Sequence, residues 1–579
     1  MPTGRPLLAL RLALAAAVVA AAAAAAAQPI ASPLWGEAGE LWRPDGPFMD
    51  FSYAGYRNGD VPLPSPPVSR TLDQFRQPGL NDSAALAAMV AWGNAQPASA
   101  GWVVLGLPEG QLTLDRQLSL NRSQTVLRGA GRGRTVLYIT KSMMDLFGPA
   151  PYHPDGYWVW YGGLLSAVGE TNQTWLAKVN ATPPVPRGSN KFLVDNVGKL
   201  AVGQTVSLLY NGGNGTFKHE IMNNKLDPGE KYDVNDGWLS SRILAINGKE
   251  VTLERAVPWN IREEYEPALI TRVPAMADVG FEGFTMEFAW TPYMGHHLEQ
   301  GLNGIQFDGV ADAWVRDVAI VNCDSGILTE NSERLTLTNF TVETTKPRWQ
   351  GVMQDDPPKG TKFDGHWGTR VALGSDVLVQ NFDMKAHLLH SAGADSHGMF
   401  SVHHSGRCDA CTLEMHRAQS TQCLFTDIDV GSPETALYNG GPVSSGPNTG
   451  AWTAYWNIRS ATGSLPPPQS SDGSPPGSCV FGPDLTFVGV TFNTTSSTPG
   501  APPYTLCPGW IVQQGEVAPP NLYLAQLQRR QRLQAEGKPA AVAERGPAVG
   551  DVEAPAPAPA QAAVPEAAPV GAPAPAATL

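Results

Sequence analysis

The amino-acid sequence predicts an all-β protein built as a parallel β-helix, and three observations support this fold class. From residue 279 onward, short segments with alternating apolar residues recur at the spacing of one β-helix coil, or of one coil plus a loop. No helical pattern separates these segments, so stacking of successive coils is the natural way to bury their inward faces. The 60 glycines and 51 prolines also favour frequent turns over long helices.

The first 32 residues are predicted to be a secretory signal peptide. Arg5 and Arg11 precede an apolar, alanine-rich stretch that ends in small residues, and we expect cleavage near Ala27. An N-terminal anchor or an organelle transit peptide is the alternative. No other segment is long and apolar enough to span a bilayer, so we expect a secreted, extracellular protein that makes no membrane contact after signal removal.

Sequons of the N-x-S/T type agree with a secreted glycoprotein, although each is weak alone because such triplets arise often by chance. They lie at Asn81, Asn121, Asn172, Asn180, Asn214, Asn339 and Asn493.

Residues 33–170 are predicted to contain an N-terminal arm, a capping helix and the first coils. Proline and glycine interrupt residues 33–75 every few positions, which indicates a wrapping arm. The stretch NDSAALAAMVAWGN predicts one helix, with Asp82 or Ser83 as the N-cap and Gly93 as the stop. Period-2 segments then predict strands, and RGAGRG is interpreted as a turn because no βαβ unit surrounds it.

Residues 171–272 are predicted to be a small β-rich insertion with two hairpins, over 191–210 and 241–257. An Asn247-Gly248 turn closes the second hairpin. The main β-helix is expected over residues 273–530. A final helix is expected near 522–538, and residues 531–579 are predicted to be a disordered Pro/Ala-rich tail.

The net charge of -13, without a run of basic residues, argues against a broad nucleic-acid-binding surface. The six cysteines can all pair in an oxidising compartment. Cys479 and Cys507 are the preferred pair, because they flank a Pro/Gly/Ser/Thr-rich stretch. Cys408-x-x-Cys411 is a second disulfide candidate. Its alternative is a zinc site completed by His403 or His404 with His416.

The N-terminal segments NDSAALAAMVAW, VVLGLPEGQLTL and LSLNRSQTVLRGAGRGRTVLYI resemble the entry of right-handed parallel β-helices of the pectate-lyase superfamily, the pectin-lyase-like fold. In that superfamily an N-terminal helix caps the coil. Five further segments resemble a narrower group of large secreted proteins related to polyuronate lyases. They are DFSYAGY at 50–56, HHLEQGLNGIQFDGVADAWVRDVAIVN at 296–322, HRAQSTQCLFTDIDV at 416–430, GAWTAYWNIRSA at 450–461 and LYLAQLQRR at 522–530.

The resemblance covers most of residues 45–530. This chain departs from the group at residues 415–421, where the group reads HHRWATG. Here it reads MHRAQST, so Met415 stands in place of the first histidine and the tryptophan is absent.

The resemblance implies a polysaccharide lyase that cleaves an acidic, uronate-containing polysaccharide by β-elimination. Such an enzyme needs a cation to offset the uronate carboxylate, a base for the C5 proton and an acid for the leaving oxygen. Residues that project from successive coils line one groove, so these groups can come from distant parts of the sequence. The predicted catalytic residues are His366, His390, His404, His416 and Arg417.

Arg417 and Lys385 are expected to neutralise the carboxylate, and Trp349 and Trp367 to be platforms for sugar rings. The predicted substrate-binding residues are Lys385, His297, Glu299, Arg370, Trp349 and Trp367. No metal is assigned to this groove. Calcium is left open as a cofactor, since Asp308, Asp312, Asp317 and Asp324 offer hard oxygen ligands close together in sequence.

Two alternatives to the lyase stay open. A glycoside hydrolase on the same fold would need paired carboxylates roughly 5–10 Å apart in the groove. A non-catalytic extracellular glycan-binding or cell-wall protein is favoured by the Pro/Ala tail and the missing tryptophan. The abundance of histidine and arginine in the predicted groove favours elimination.

Overall fold

A computed structural model describes residues 30–212, 215–230, 236–349, 362–474, 478–493, 507 and 509–538. Most of the predicted signal peptide, the sequon at Asn214 and residues 539–579 of the predicted tail lie outside the described residues. Over the described part of the chain, no helix is long and apolar enough to cross a membrane.

The chain before residue 171 forms the arm, the capping helix and the first strands. Helix α1, Asp82–Asn94, begins after Asn81, whose side-chain oxygen accepts a hydrogen bond of 2.9 Å from the Ala84 N–H. The N-cap is therefore one residue earlier than predicted, because asparagine caps as well as aspartate and Asp82 then adds negative charge to the first turn. A short helix, α2, spans Met143–Phe147. The strands are β1 Ile30–Ala31, β2 Arg70–Thr71, β3 Val103–Gly106, β4 Gly110–Leu114, β5 Leu118–Leu120, β6 Thr125–Arg128, β7 Thr135–Ile139 and β8 Leu165–Val168.

The segment expected to be an insertion folds as a closed antiparallel barrel. Its strand order is β10-β13-β12-β11-β14-β9, and a short helix, α3 (Phe217–Ile221), follows β11. The barrel strands are β9 Thr171–Asn180, β10 Lys191–Val194, β11 Thr205–Tyr210, β12 Gly237–Asn247, β13 Glu250–Leu253 and β14 Ala268–Pro274.

One of the two predicted hairpins in the barrel forms. β12 pairs with β13, and Asn247 lies opposite Glu250 across a two-residue turn. The prediction of a hairpin over 191–210 is wrong, because β10 pairs with β9 and β13 while β11 pairs with β12 and β14. Alternation of apolar residues identifies a strand but does not choose its partner.

The rest of the chain continues the parallel β-helix, which confirms the predicted fold class. The strand pairs described in its two main sheets are parallel. Its strands are β15 Met276–Ala277, β16 Val279–Phe288, β17 Asn303–Asp308, β18 Val310–Ala311, β19 Trp314–Val321, β20 Ser325–Glu330, β21 Thr336–Glu343, β22 Gly365–Ala372, β23 Leu378–Met384, β24 Leu388–Asp395, β25 Val402–Cys408, β26 Leu413–His416, β27 Leu424–Asp429, β28 Tyr438–Asn439, β29 Ala454–Arg459, β30 Gln469–Ser470, β31 Thr486–Val488, β32 Ile511–Gln513 and β33 Val517–Ala518.

Each coil passes from a large sheet to a second sheet and returns through a short bridged segment. The large sheet has the order β2-β3-β6-β16-β19-β21-β23-β25-β27-β29-β31-β32, with β7 joining β4 to β16. The second sheet has the order β26-β24-β22-β20-β17-β8-β5. The barrel does not interrupt the stacking, because β8 pairs with β17 beyond it and β6 pairs with β16.

The interior of the β-helix is a continuous apolar core of leucine, valine, isoleucine and phenylalanine side chains. Four aromatic rings from successive coils of the large sheet stack within it. Their centroids are 4.8, 5.1 and 4.9 Å apart in the order His403, Phe425, Tyr455 and Phe487.

The arm and the last helix hold each other against the β-helix. Helix α4, Leu522–Ala535, places Gln526 against the backbone of Met49 and Phe51, while Arg530 donates to the carbonyl oxygens of Ser52 and Asn58. The sequence segments DFSYAGY and LYLAQLQRR therefore contact each other in the folded chain. Short 3-10 turns lie at Tyr56–Gly59, Leu72–Phe75, Ala98–Ala100, Glu263–Tyr265, Val443–Ser445 and Cys479–Phe481.

Candidate functional site

A column of ionisable side chains crosses the second sheet where its strands end. In register, Asp308 lies beside Glu330, Glu330 beside Ala372, Ala372 beside Asp395, and Asp395 beside His416. The preceding residue in four of these strands faces the core, namely Phe307, Val371, Ala394 and Met415. Because side chains alternate along a strand, the column projects outward.

Arg370 reaches from the same outer face of β22 into this column. Its Nε donates to Asp395 Oδ2 over 2.7 Å, and its Nη1 lies 3.4 Å from Glu330 Oε2. The guanidinium fills the space above Ala372, whose methyl group leaves room between the two acids. One cation on β22 therefore links two carboxylates that lie on the neighbouring strands β20 and β24.

The two carboxyl groups have pKa values that move in opposite directions. Burial raises the pKa of Glu330; the charge of Arg370 opposes this effect, and the charges of Asp308 and Asp395 add to it. Burial also acts to raise the pKa of Asp395, but the Arg370 charge and hydrogen bond outweigh it and lower that pKa. At a mildly acidic pH, Glu330 is thus the better proton donor and Asp395 the better acceptor.

Glu414 on β26 holds two histidines on the same face. Its Oε1 is 2.7 Å from His416 Nδ1 and accepts a 2.7 Å hydrogen bond from the Gly440 N–H, while its Oε2 is 3.2 Å from His390 Nδ1. Although burial opposes ionisation, the two histidines lower the pKa of Glu414 to about 2.

Burial lowers the pKa of His390 to about 4, even though Glu414 acts against this effect. Burial also acts to lower the pKa of His416, but its hydrogen bond to Glu414 and the charge of Asp395 outweigh it and raise that pKa. The pKa values of these two neighbouring histidines are therefore displaced in opposite directions.

A second carboxylate–histidine pair lies beside this one. Glu299 Oε1 is 3.1 Å from His366 Nδ1 and accepts a 2.8 Å hydrogen bond from the Tyr293 hydroxyl. The His366 ring is 5.1 Å from that of His390 and 4.8 Å from that of His296, between centroids. Burial lowers the pKa of His366 well below its usual value, so the ring is neutral.

These groups surround a pocket of about 640 Å³ on the outer face of the second sheet. Trp160 and Tyr438 add aromatic surface to a lining that otherwise mixes acids, histidines and glycine backbone. The described residues that line it are Trp160, His296, His297, Glu330, Arg370, Leu373, Leu389, His390, Asp395, Ser396, His416, Tyr438, Gly440, Gly441, Pro442 and Ser471. Such a concave, partly apolar site with convergent polar groups is typical of a ligand-binding pocket.

Six of the predicted site residues come together here. His297, Arg370, His390 and His416 line the pocket, and His366 and Glu299 lie directly behind its histidines. The catalytic and binding roles assigned to them from the sequence stay predictions.

Two predicted catalytic residues are not part of this pocket. Arg417 follows His416 but turns away, donating to Ser470 and Asp472 and lining a separate cavity. His404 lies on the large sheet, where its ring stacks on Tyr523 with 5.0 Å between centroids. His416 is the last residue of β26, and the next side chain, Arg417, points in another direction. His404 lies on β25, which belongs to a different sheet from β26. Closeness in sequence therefore did not place these residues on one face.

Three predicted substrate-binding residues also lie elsewhere. Lys385 forms an ion pair of 2.9 Å with Glu343 beside the large sheet. The ring of Trp349 is covered by the Lys362 amine at 4.0 Å. Trp367 is only 1% exposed and packs beneath His390 and His416, so it supports their rings instead of offering a free sugar platform.

The sequence reasoning missed Glu330, Asp395, Glu414 and Trp160. Glu330 and Asp395 are the final residues of β20 and β24, and their common position at strand ends is the signal that could have found them. The register that aligns them depends on how the coils between them close. Met415 faces the core and is fully buried, so the departure at this position does not remove a group from the pocket.

The structure shows which of the cysteines pair. Both predicted disulfides form, Cys408–Cys411 and Cys479–Cys507, so the zinc alternative at Cys408 and Cys411 is wrong. Cys323 and Cys423 are buried and unpaired, and the pairing of all six cysteines does not occur.

The four aspartates proposed for calcium do not share one site. Asp312 pairs with Arg334 and Asp324 with Arg348, while Asp308 and Asp317 bond other side chains. Each of these carboxylates contacts a different partner, so the four side chains do not form one shared oxygen site in the described part of the chain.

No family model matches the chain, and no curated protein matches it. Solved structures that resemble it include the tailspike protein gp49 of Pseudomonas phage LKA1, at 14% identity over 74% of this chain and 76% of that one, with a TM-score of 0.29. An exopolygalacturonase of Thermotoga maritima is 9% identical over 74% of this chain and 77% of that one, with a TM-score of 0.34. An iota-carrageenase complexed to iota-carrageenan fragments is 10% identical over 68% of this chain and 60% of that one, with a TM-score of 0.32. Likenesses at this level define neither a family nor an activity for this chain.

Proposed function

We propose that the pocket binds a saccharide chain and hydrolyses one of its glycosidic bonds, with Glu330 as general acid and Asp395 as general base. One observation carries this proposal: both carboxylates project into the same pocket from one column, and their pKa values are displaced in opposite directions. Opposite displacement of two nearby acids is how glycosidases separate the acid from the base.

The backbone spacing of the column is compatible with an inverting reaction. Glu330 and Asp395 are two strands apart, with Ala372 between them. Parallel strands lie about 4.8 Å apart, so their backbones are separated by roughly 10 Å. Inverting enzymes hold their carboxyl groups about 6.5–9.5 Å apart, which leaves room for a water molecule, and retaining enzymes about 5–5.5 Å. The proposed reaction therefore requires the water to bind beside the Arg370 guanidinium, which contacts both carboxylates.

In the proposed reaction, Glu330 gives its proton to the glycosidic oxygen as the bond to the anomeric carbon breaks. Asp395 removes a proton from the attacking water, whose oxygen forms the new bond from the opposite face. Arg370 positions both carboxylates, and Trp160 offers a flat apolar surface to a sugar ring.

The test is incubation of the full chain with a panel of neutral and acidic polysaccharides. We expect new reducing ends without the near-ultraviolet absorbance of unsaturated products. Glu330→Gln and Asp395→Asn should each lower the rate by about 10²–10⁴-fold, the usual contribution of general acid–base catalysis. Glu343→Gln is the matched control, because this carboxylate is also ion-paired but lies beside the large sheet.

β-Elimination, the activity implied by the family resemblance, is the second candidate. Arg370 favours it, since this permanent cation lines the pocket and can approach a uronate carboxylate. If unsaturated products form and persist in the Glu330→Gln variant, the reaction is elimination and the hydrolysis proposal is wrong. Saccharide binding without either product would instead support the non-catalytic alternative.

A further inference from the structure

We propose that His296, His366 and His390 form a binding site for a divalent first-row transition metal, with zinc the best fit. One ring nitrogen from each histidine lies within 4.8 Å of the others. This inference goes beyond the proposed hydrolysis and does not depend on it, because Glu330 and Asp395 are not among the ligands.

Two of the three imidazoles have a carboxylate beside them. Glu299 lies 3.1 Å from Nδ1 of His366, and Glu414 lies 3.2 Å from Nδ1 of His390, at ion-pair distances that do not meet hydrogen-bond geometry. A carboxylate beside Nδ1 favours a proton on that nitrogen, which leaves the Nε2 lone pair for a metal. Histidine ligands of metals almost always have such a partner, which fixes the tautomer and the ring orientation.

The buried ring nitrogens of His390 are an independent observation. Among the described residues, neither Nδ1 nor Nε2 of His390 has a hydrogen-bond partner, although the residue is only 4% exposed. Buried polar atoms without a protein partner are rare and costly, and in folded proteins such atoms often contact a bound ion or a water molecule.

The distances between the three ring nitrogens suit a metal after a small inward movement of the side chains. Tetrahedral zinc with bonds of about 2.0–2.1 Å to nitrogen holds its ligand nitrogens about 3.4 Å apart. From a separation of at most 4.8 Å, each ring needs to move by about 1 Å or less. Three imidazoles suit zinc and other borderline metals, whereas calcium and magnesium prefer oxygen ligands.

A second histidine group competes for the same metal, because His390 also lies near Glu414 and His416. Oε1 of Glu414 is already engaged by the Gly440 N–H and by Nδ1 of His416. A metal bound there would have to break these contacts. The group of His296, His366 and His390 does not require this and is therefore the stronger site.

The experiment uses the full chain after chelator treatment and dialysis. Zinc alone is titrated calorimetrically, and cobalt is titrated with detection of its visible absorption bands. We expect one metal per chain, with cobalt bands typical of a low-coordinate nitrogen site. His296→Asn and His390→Asn should each weaken zinc binding more than 100-fold. Glu299→Gln should weaken it about 10–100-fold, the usual cost of losing a partner of a ligand.

His219→Asn is the matched control, since this exposed histidine lies in the barrel, and its variant should bind zinc like the wild type. His296 is only half-buried, so its variant is expected to fold and carries the test even if His390→Asn does not. The proposal is overturned by the absence of stoichiometric binding. Zinc binding that survives His296→Asn, or that is lost in His416→Asn while His296→Asn retains it, would also overturn it.

Discussion

Replacement of Arg370 by methionine should destabilise the protein strongly at neutral pH and much less in acid. The guanidinium is buried, with Asp395 at 2.7 Å and Glu330 at 3.4 Å, so its loss leaves two buried carboxylates without their counter-charge. Breaking a buried ion pair by removing one partner costs about 3–5 kcal/mol of unfolding free energy. We expect Arg370→Met to fall in this range near neutral pH.

The pH dependence follows from the two carboxyl groups. In the wild type, Arg370 lowers the pKa of Asp395, so its contribution to stability is present above the unfolded pKa and is lost as pH falls through the folded one. In Arg370→Met, burial is no longer opposed by the guanidinium, and the pKa values of both carboxyl groups should rise. They become neutral as the pH falls, and the deficit relative to the wild type should therefore shrink.

The assay is urea unfolding of both proteins near neutral pH and at mildly acidic pH, with the slope of the transition checked for each. Arg407→Met is the control, because Arg407 also pairs with one carboxylate, Asp383 at 2.9 Å, but is 69% exposed. Its urea midpoint should match that of the wild type, since exposed ion pairs contribute little. A deficit for Arg370→Met below about 1 kcal/mol, or one that is equal at both pH values, would refute the buried-pair reasoning.

Three further predictions concern the pocket, the core and the thiols. The rate of hydrolysis should pass through a maximum with pH, because Glu330 must be protonated and Asp395 ionised; a rate that rises steadily into the alkaline range would contradict this assignment. Met415→His, which introduces the residue expected from the family resemblance, should lower the melting temperature without increasing activity, because the side chain is fully buried in the core. Cys323 and Cys423 should resist thiol reagents in the folded protein and react after denaturation without reductant, as burial raises the pKa values of their thiols to about 12 and about 11; rapid reaction of the native protein would argue against their burial.

The sequence by itself determined the β-helix, because its evidence is local and repeated. Segments such as Thr336–Glu343, which reads TLTNFTVE, alternate apolar and polar residues around one break, and each coil carries enough of this pattern to identify an inward face. The capping helix and the Asn247-Gly248 hairpin were predictable for the same reason, since turn and cap residues act within a few positions. The hairpin predicted over residues 191–210 does not form, because its two strands pair with other strands. Alternation of apolar residues does not predict which strands pair.

Only the tertiary structure decided which side chains share the pocket. Glu330 and Asp395 are aligned by the register of β20, β22 and β24, and this register depends on how coils of unequal length close between them. His416 and Arg417 are neighbours in sequence, yet one faces the pocket and the other a separate cavity. Local patterns report which residues are buried, whereas a shared face across coils is set by backbone pairing, and that pairing exists only in the folded chain.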